Sequence, residues 1–421
     1  MSQALTATPD QTTHTLTTGL IASVETMPAC RSVAVCLLLP MGLIYEPQDA
    51  PGTAALAEEW IFRGSQSLDN QAFNHALDRL GAQRHTHLDA RYLQISAVCL
   101  NQQLGETLKL LADMVITPRL APEEFPPVKA LCEQGLQSLQ DEPEERIGLL
   151  LRSAFQPAPF NRSPYGQTHG YAKATPETTA AFVNACTSPQ GAILGIAGGI
   201  DADATLKQIE QTFGAWQAAP PSTIATTPAA GGVHHETDES QQTQICVAFK
   251  GPPENDPQTL GLKVALTCLS GGASGRLFTE VREKRGLCYT VSAGYAGDQE
   301  RGGVFVYAGT TPQRAQETLD VMLDVTRGIE SGVTADEVKR AKVTLLSRLV
   351  MQGESTEARA SSLARDIGVF GKPRTLQDRA DTLRELTVAD VNQAAATLTQ
   401  TPPTMATLGP QPLSLPKDWK H

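Results

Sequence analysis

Long apolar runs are missing from this sequence. The longest, Val33 to Ile44, is broken by Pro40 and falls far short of the roughly 20 residues that span a bilayer as a helix, so no membrane helix is expected. Positive charge is also scarce: 34 Lys and Arg against 45 Asp and Glu give a formal net charge of −11. Without a net positive field to gather phosphates, neither nucleic acid nor an anionic membrane is expected as a partner. Cysteines are few and stand singly, at Cys30, Cys36, Cys99, Cys132, Cys186, Cys246, Cys268 and Cys288, with no CxxC pair. Several lie inside apolar runs such as Ala34-Val35-Cys36-Leu37, which reads as small buried hydrophobes in a reducing compartment rather than a disulfide framework. The stretch Met1 to Thr18 is polar and Thr-rich with no apolar h-region, so no secretory signal is read and a cytoplasmic location is expected. A processed N-terminus would leave a periplasmic location open.

What is present is a duplication. At about 150 residues per domain, 421 residues suggest two or three domains. Glu106-Thr107-Leu108 and Asp113 match Glu317-Thr318-Leu319 and Asp324 at an offset of 317 − 106 = 211 residues. Glu123-Glu124-Phe125 with Lys129 answers Asp336-Glu337-Val338 with Lys342, and Pro47-Gln48 answers Pro257-Gln258. A period this long marks a duplicated domain, since solenoid repeats run about 20 to 50 residues. Between the halves, 218–232 is rich in Pro, Ala, Thr and Gly with no apolar periodicity, which predicts a linker joining domains at 1–217 and 233–421.

Each half repeats one coarse pattern. Ser32–Leu39 and Gln244–Phe249 are short apolar runs and predict strands. Ala50–Arg63, stopped by Gly64, and Leu260–Leu269 predict helices. Tyr92–Leu100 and Gly302–Ala308 alternate as strands, and Leu104–Met114 and Arg314–Ile329 follow as amphipathic helices. Strands and helices without strict βαβ alternation predict an α+β fold: in each half a largely antiparallel sheet, with helices covering one face.

One segment carries chemistry. In Gly271-Gly272-Ala273-Ser274-Gly275 and onward, the glycines and Ser274 open a helix, Leu277, Phe278 and Val281 form its apolar face, and Gly286 ends it at a C′ position. A strand follows with Tyr289, Val291, Ala293 and Tyr295 on one face. Arg282 and Tyr289 are seven residues apart across this turn, so their side chains can converge. Taken alone they also fit a surface arginine beside a half-buried tyrosine.

The segment Gly271 to Ala293 resembles the second-half signature of the M16 (insulinase/pitrilysin-type) metallopeptidases. Ser163-Pro164-Tyr165-Gly166 with Gly170, and Gly198-Gly199-Ile200-Asp201, resemble further family segments, and the likeness covers the whole duplicated chain. The resemblance assigns Arg282 and Tyr289 to the family's pair that contacts the substrate carbonyl near the scissile bond. A guanidinium and a phenol are suitable donors to an oxyanion.

The same resemblance exposes a loss. Active members carry His-x-x-Glu-His on the first helix of the first half and a glutamate ligand further on, so that two imidazoles one helical turn apart grip Zn²⁺. Here the histidine positions are Ala55 and Glu59, the base position keeps Glu58, and the distant ligand falls near Gly135, with Glu133 close by. A methyl group and a bare glycine cannot ligate, and Glu58 and Glu59 point about 100° apart around the helix. No metal is therefore expected in this chain. His85-x-His87-x-Asp89, at a strand edge where the family usually has an Asn-Ala pair, can be read as a substitute metal site, but a solvated or hydrogen-bonded face is favoured. His234-His235-Glu236 is read the same way.

These readings give a non-catalytic subunit of a heterodimeric M16B-type zinc metallopeptidase. A homologous zinc-bearing subunit is the expected partner, with zinc in that subunit, a peptide as substrate, and Arg282 and Tyr289 supplied in trans. Two alternatives stand beside it: a structural or assembly protein of the same fold with no role in proteolysis, and an autonomous peptidase with a rearranged metal site.

Overall fold

The run Ser32–Leu39 is apolar at both sets of alternating positions, the pattern of a strand covered from both sides. It forms the centre of one of two sheets in the computed structural model, which describes residues 11–217 and 224–419. Residues 218–223 of the expected linker lie outside the described residues.

In chain order the first half supplies strands β1 (Gln11–Thr15), β2 (Ile21–Thr26) and β3 (Ser32–Leu39) and helices α1 (Thr53–Ile61) and α2 (Asn70–Leu80). Strands β4 (Gln83–Leu88) and β5 (Leu93–Leu100) follow, then helices α3 (Leu104–Ile116), α4 (Phe125–Ser138), α5 (Pro143–Phe155), α6 (Thr168–Lys173) and α7 (Pro176–Cys186). Strand β6 (Ile193–Gly198) and helix α8 (Ala202–Phe213) complete it. The second half supplies β7 (Val233–Thr237), β8 (Thr243–Gly251), α9 (Thr259–Ser270), a π-helical turn at Phe278–Glu283, β9 (Cys288–Gly297) and β10 (Gly302–Thr310). It closes with α10 (Ala315–Arg327), α11 (Ala335–Gly353), α12 (Thr356–Phe370), α13 (Leu376–Glu385), α14 (Val388–Ala395) and β11 (Thr404–Gly409).

The first sheet runs β1-β2-β6-β3-β5-β4 and the second β7-β11-β8-β10-β9. Apart from β1 the two orders correspond strand for strand. In each sheet one neighbouring pair is parallel, β2 with β6 and β11 with β7, and the other pairs are antiparallel. The duplication read from short sequence matches is thus a duplication of topology, and the fold is α+β with two helix-covered sheets.

Alternation along the central strands explains the layers. Val33, Val35, Leu37 and Leu39 of β3 face a core built with α1, α2, α3, α7 and α8. Ala34, Cys36 and Leu38 face the other way, against Ala360, Leu363, Ala364 and Ile367 of α12. In the second sheet Ile245, Val247 and Phe249 face α9, α10 and α14, while Cys246 and Ala248 meet Ile147, Leu151 and Phe155 of α5. Most helices therefore lie on one face, as expected, and a single helix covers the opposite face of each sheet.

That single helix comes from the other half of the sequence. The chain divides into a unit of Met1–Ser138, Ala158–Thr227 and Met351–Thr375, and a unit of Leu139–Pro157, Pro228–Val350 and Leu376–His421. Continuous halves at 1–217 and 233–421 do not describe this arrangement: α5 and α12 are reciprocally exchanged. On the first sheet α12 is seated by small residues, since a Cβ at Gly195 of β6 would lie 2.2 Å from the Ala360 carbonyl oxygen. It is also tied by a fully buried ion pair, Arg359 Nε to Glu25 Oε1 at 2.8 Å and Nη2 to Oε2 at 2.5 Å. All eight cysteines are free thiols. Among the described residues no helix is long and apolar enough to cross a membrane.

Candidate functional site

The second unit holds Arg282 and Tyr289 side by side. Two backbone irregularities put them there. The helix expected after Ser274 is a π-helical turn over Phe278–Glu283, with the Lys284 N–H donating to the Thr279 carbonyl five residues back at 3.0 Å. Such wide turns recur at functional sites. Gly286 ends it with φ +59°, the left-handed C′ conformation expected of a glycine.

The second irregularity corrects the sequence reading of the strand. Thr310 of β10 pairs with Cys288 but Gly309 pairs with Thr290, so Tyr289 is the extra residue of a β-bulge. Simple alternation would place Tyr289 with Val291, Ala293 and Tyr295 against the core. The bulge instead turns Cys288 inward and re-aims Tyr289 outward, where it is 80% exposed.

The Arg282 guanidinium lies 5.1 Å from the Tyr289 ring centroid and 4.9 Å from that of Phe278. Its neighbours are engaged elsewhere: Lys284 and Arg285 both bond the Glu280 carboxylate, at 2.6 and 2.8 Å. Arg282 has no ion pair among the described residues, so an exposed guanidinium and an exposed phenol are held together with their donors open to solvent.

The first unit holds the positions of the lost metal motif. Helix α1 is started by Gly52, and the buried Glu46 carboxylate accepts the Gly52 and Ala54 amides at 2.9 Å each. Ala55 is buried in the core of the sheet, Glu58 is half-buried and Glu59 exposed. Burial pushes the Glu58 carboxyl up from its ordinary value, and Glu59 adds to this against a hydrogen bond from Thr86. Gly135 sits half-buried on α4, where a Cβ would meet no atom within 4 Å. On α4 the Cys132 thiol is pushed up to about 12 by burial and by Glu59, Glu58 and its half-buried neighbour Glu133. This donor set, a methyl, a bare glycine and two diverging carboxylates, does not fit zinc. Among the described residues no group of three or more His, Cys, Asp or Glu could hold a metal ion.

The alternative metal readings meet ordinary structural roles. Asp89 Oδ1 accepts the Arg91 and Tyr92 amides at 2.7 Å, closing the β4–β5 turn, while His85 and His87 are exposed. His234 bonds the Gly231 carbonyl, His235 bonds the Thr407 hydroxyl, and Glu236 pairs with Arg146.

What sequence reasoning missed is a polar cavity of about 370 Å³ where the metal site would be. The end of α1 and the residues after it give Glu58, Glu59, Phe62 and Arg63, α2 gives Asn70 and Asn74, and β4 gives Arg84 and Thr86. The available signal was the alternation of Arg84 and Thr86 on a strand whose intervening residues are histidines.

Comparison with known proteins gives the family and the fold. The family model described as Insulinase (Peptidase family M16) matches residues 21–167, and that described as Peptidase M16 inactive domain matches residues 173–345. An uncharacterized zinc protease of Mycobacterium bovis is 26% identical over 404 residues, covering 94% of this chain and 92% of the relative. One of Bacillus subtilis is 24% identical over 391 residues, covering 91% and 95%. In fold, a peptidase M16 inactive domain from Pseudomonas fluorescens superposes with TM-score 0.86 at 22% identity, over 97% of this chain and 99% of that one. A protease from Helicobacter pylori gives TM-score 0.86 at 19% identity, over 96% and 100%.

Proposed function

This chain belongs to peptidase family M16, and from that premise we propose that it is the non-catalytic subunit of a heterodimeric zinc peptidase. The observation that carries the reading is a division within one chain. The second unit presents Arg282 and Tyr289 stacked and open to solvent, while the first unit's metal positions hold no zinc donor set.

In this reading the metal and the base that activates water belong to a homologous zinc-bearing partner. The part of this chain is electrostatic: the Arg282 guanidinium and the Tyr289 hydroxyl donate hydrogen bonds to the substrate carbonyl oxygen as it becomes an oxyanion. The Arg282 charge need not be drawn away from a competing carboxylate, because it has none among the described residues. The substrate is a peptide.

The test mixes the full chain with a zinc-bearing M16 relative from the same organism and follows peptide hydrolysis. Arg282→Ala and Tyr289→Phe are each expected to lower kcat by about 10²–10³, the loss typical of one oxyanion donor, with the mixed complex still forming. Hydrolysis unchanged by both substitutions would reject the role in trans. The competing reading, a structural protein of the M16 fold, draws support from the way ordinary packing has filled the Ala55 position. It predicts that pull-down recovers no zinc-bearing relative and that the chain has no affinity for peptide. Stoichiometric zinc in the purified chain, with chelator-sensitive activity, would instead favour an autonomous peptidase.

A further inference from the structure

The duplication leaves one edge of the second sheet unfinished. In strand order β7 answers β2, but β1 pairs with the outer side of β2, whereas among the described residues no strand pairs with the outer side of β7. The correspondence holds residue by residue. Glu236 follows Glu25 at 236 − 25 = 211, and each carboxylate is paired with an arginine of the exchanged helix on its sheet, Arg359 of α12 for Glu25 and Arg146 of α5 for Glu236. Glu25 is also covered by β1, since Gln11 Nε2 donates to its Oε2 at 2.5 Å, and its side chain is buried. Glu236 has no such donor among the described residues and its side chain is 45% exposed. Ala22 of β2 is likewise buried, while Val233, at the same offset, is 49% exposed.

The backbone at this edge is free to pair. The Gly232 carbonyl accepts the Met405 amide at 2.9 Å, and the Asp238 amide donates to the Gly409 carbonyl at 3.1 Å, so even-numbered positions face β11. By alternation the N–H and C=O groups of Val233, His235 and Thr237 point outward, and they have no backbone partner among the described residues. Such an edge is a template for a further strand.

Charge selects which strand. In the first sheet the neutral Gln11 suffices, because Met27 stands two residues after Glu25. Here that position is Asp238, so Arg146 is shared between Glu236 and Asp238, the latter at 2.9 Å. Glu239 follows, exposed, and the start of α5 adds exposed Glu144 and Glu145. Val233 and His235 lie on the other face of β7, where Val233 offers apolar surface. Pairing with β7 of a second copy would bring two acidic edges together, which is unfavourable.

We infer that the β7 edge docks an extended segment of a partner protein that alternates basic and apolar side chains, added antiparallel to β7 as β1 is to β2, with its basic residues toward Glu236 and Asp238. The inference goes beyond the proposed function and uses neither Arg282 nor Tyr289.

The experiment uses the full chain alone and fluorescence anisotropy of an N-dansylated, C-amidated Lys-Val-Lys-Val-Lys-Val-Lys peptide. Two controls replace every Lys by Glu or N-methylate the three Val amides, which are the groups that would bond β7. Each control is expected to bind at least about tenfold more weakly, since it reverses the charge or removes several hydrogen bonds. Thr237→Pro deletes one outward N–H at an exposed strand end without touching the β11 ladder, and should weaken binding by about fivefold with unchanged circular dichroism. Glu239→Lys should weaken it by about threefold, an effect that fades as salt is raised. Equal binding of the N-methylated peptide would overturn strand addition, and equal binding of the Glu peptide would overturn the charge selection. Insensitivity to Thr237→Pro would place the peptide elsewhere, and no binding at millimolar peptide would remove the site. A dimer in sedimentation that Thr237→Pro dissociates would give the edge to a second copy instead. With no zinc-bearing subunit present, these failures are distinct from failure of the role in trans.

Discussion

Glu46 makes the stability of this protein depend on pH in an unusual direction. Its side chain is fully buried. Oε1 accepts the Gly52 and Ala54 amides at the start of α1, but Oε2 has no hydrogen-bond partner among the described residues, and the Arg162 guanidinium stands 3.9 Å away. Burial wins over these favourable contacts and raises the carboxyl from 4.5 to about 7. Because the folded pKa is raised, the folded chain keeps a proton that the unfolded chain releases between pH 4.5 and 7. Stability is therefore complete below about pH 4.5, declines as pH rises through this window, and levels off above pH 7. A difference of 7 − 4.5 = 2.5 pH units corresponds to about 3 kcal/mol at 1.36 kcal/mol per unit. Glu46→Gln is neutral at every pH and keeps an acceptor for the two amides. It is expected to match wild type near pH 4.5 and to exceed it by about 2–3 kcal/mol at pH 8. Calorimetric melting across this range reads the change, at about 2–4 °C per kcal/mol for a folding unit of this size. Glu46→Ala, which strands both amides, should lower the melting temperature at all pH values. A Glu46→Gln difference that does not change with pH, or a variant less stable than wild type at pH 8, would refute the reasoning.

The exchanged helix α12 supports two further tests. Gly195→Ala drives a methyl group into the Ala360 carbonyl oxygen and should destabilise by about 3 kcal/mol or more as an overpacked contact, read by urea denaturation. A loss under about 0.5 kcal/mol would mean that the helix is not seated on β6 as described. Arg359→Met leaves Glu25 buried without its partner and should cost about 3–5 kcal/mol, whereas the double replacement Glu25→Leu, Arg359→Met recovers most of the loss. Failure of the double variant to recover would place the cost in packing rather than charge.

Much of the fold was legible because its signals are local. The runs at Ser32–Leu39 and Leu93–Leu100 are apolar enough to announce strands, and Leu104–Ile116 carries its helical stripe openly. Strand β4, with the sequence Gln83-Arg84-His85-Thr86-His87-Leu88, has one apolar residue and takes its conformation from pairing with β5. The exchange of α5 and α12 was illegible for another reason. An amphipathic helix records that one face is buried, not which sheet buries it, and both sheets offer a matching row of small residues. The site divides in the same way. Proximity of Arg282 and Tyr289 followed from their spacing across a turn, but the orientation of Tyr289 did not, because the bulge is a property of the register between β9 and β10. The cavity arises where α1, α2 and β4 meet, and only Arg84 and Thr86 hint at it in sequence.

Whether Arg282 and Tyr289 serve the fold or a ligand can be decided by stability. Tyr289 is 80% exposed, the bulge holds it off the core, and its recorded contact is the Arg282 guanidinium at 5.1 Å. An exposed cation–π contact contributes about 0.5–1 kcal/mol, and surface substitutions usually stay within about 0.5 kcal/mol. Tyr289→Ala should therefore change the unfolding free energy by about 1 kcal/mol or less, a small fraction of what burial of a tyrosine would give. Tyr289→Phe, which keeps the ring over the guanidinium, should change it hardly at all. The bulge and the π-helical turn give up regular hydrogen bonding around the pair, and a small stability loss in Tyr289→Ala would support the proposal that its open donors serve a ligand. If Tyr289→Ala instead lowers stability by several kcal/mol, the tyrosine is a structural element, and the case for a donor pair loses its foundation. The two substitutions, measured by denaturation of the chain alone, thus separate the structural reading from the catalytic one without any partner in the tube.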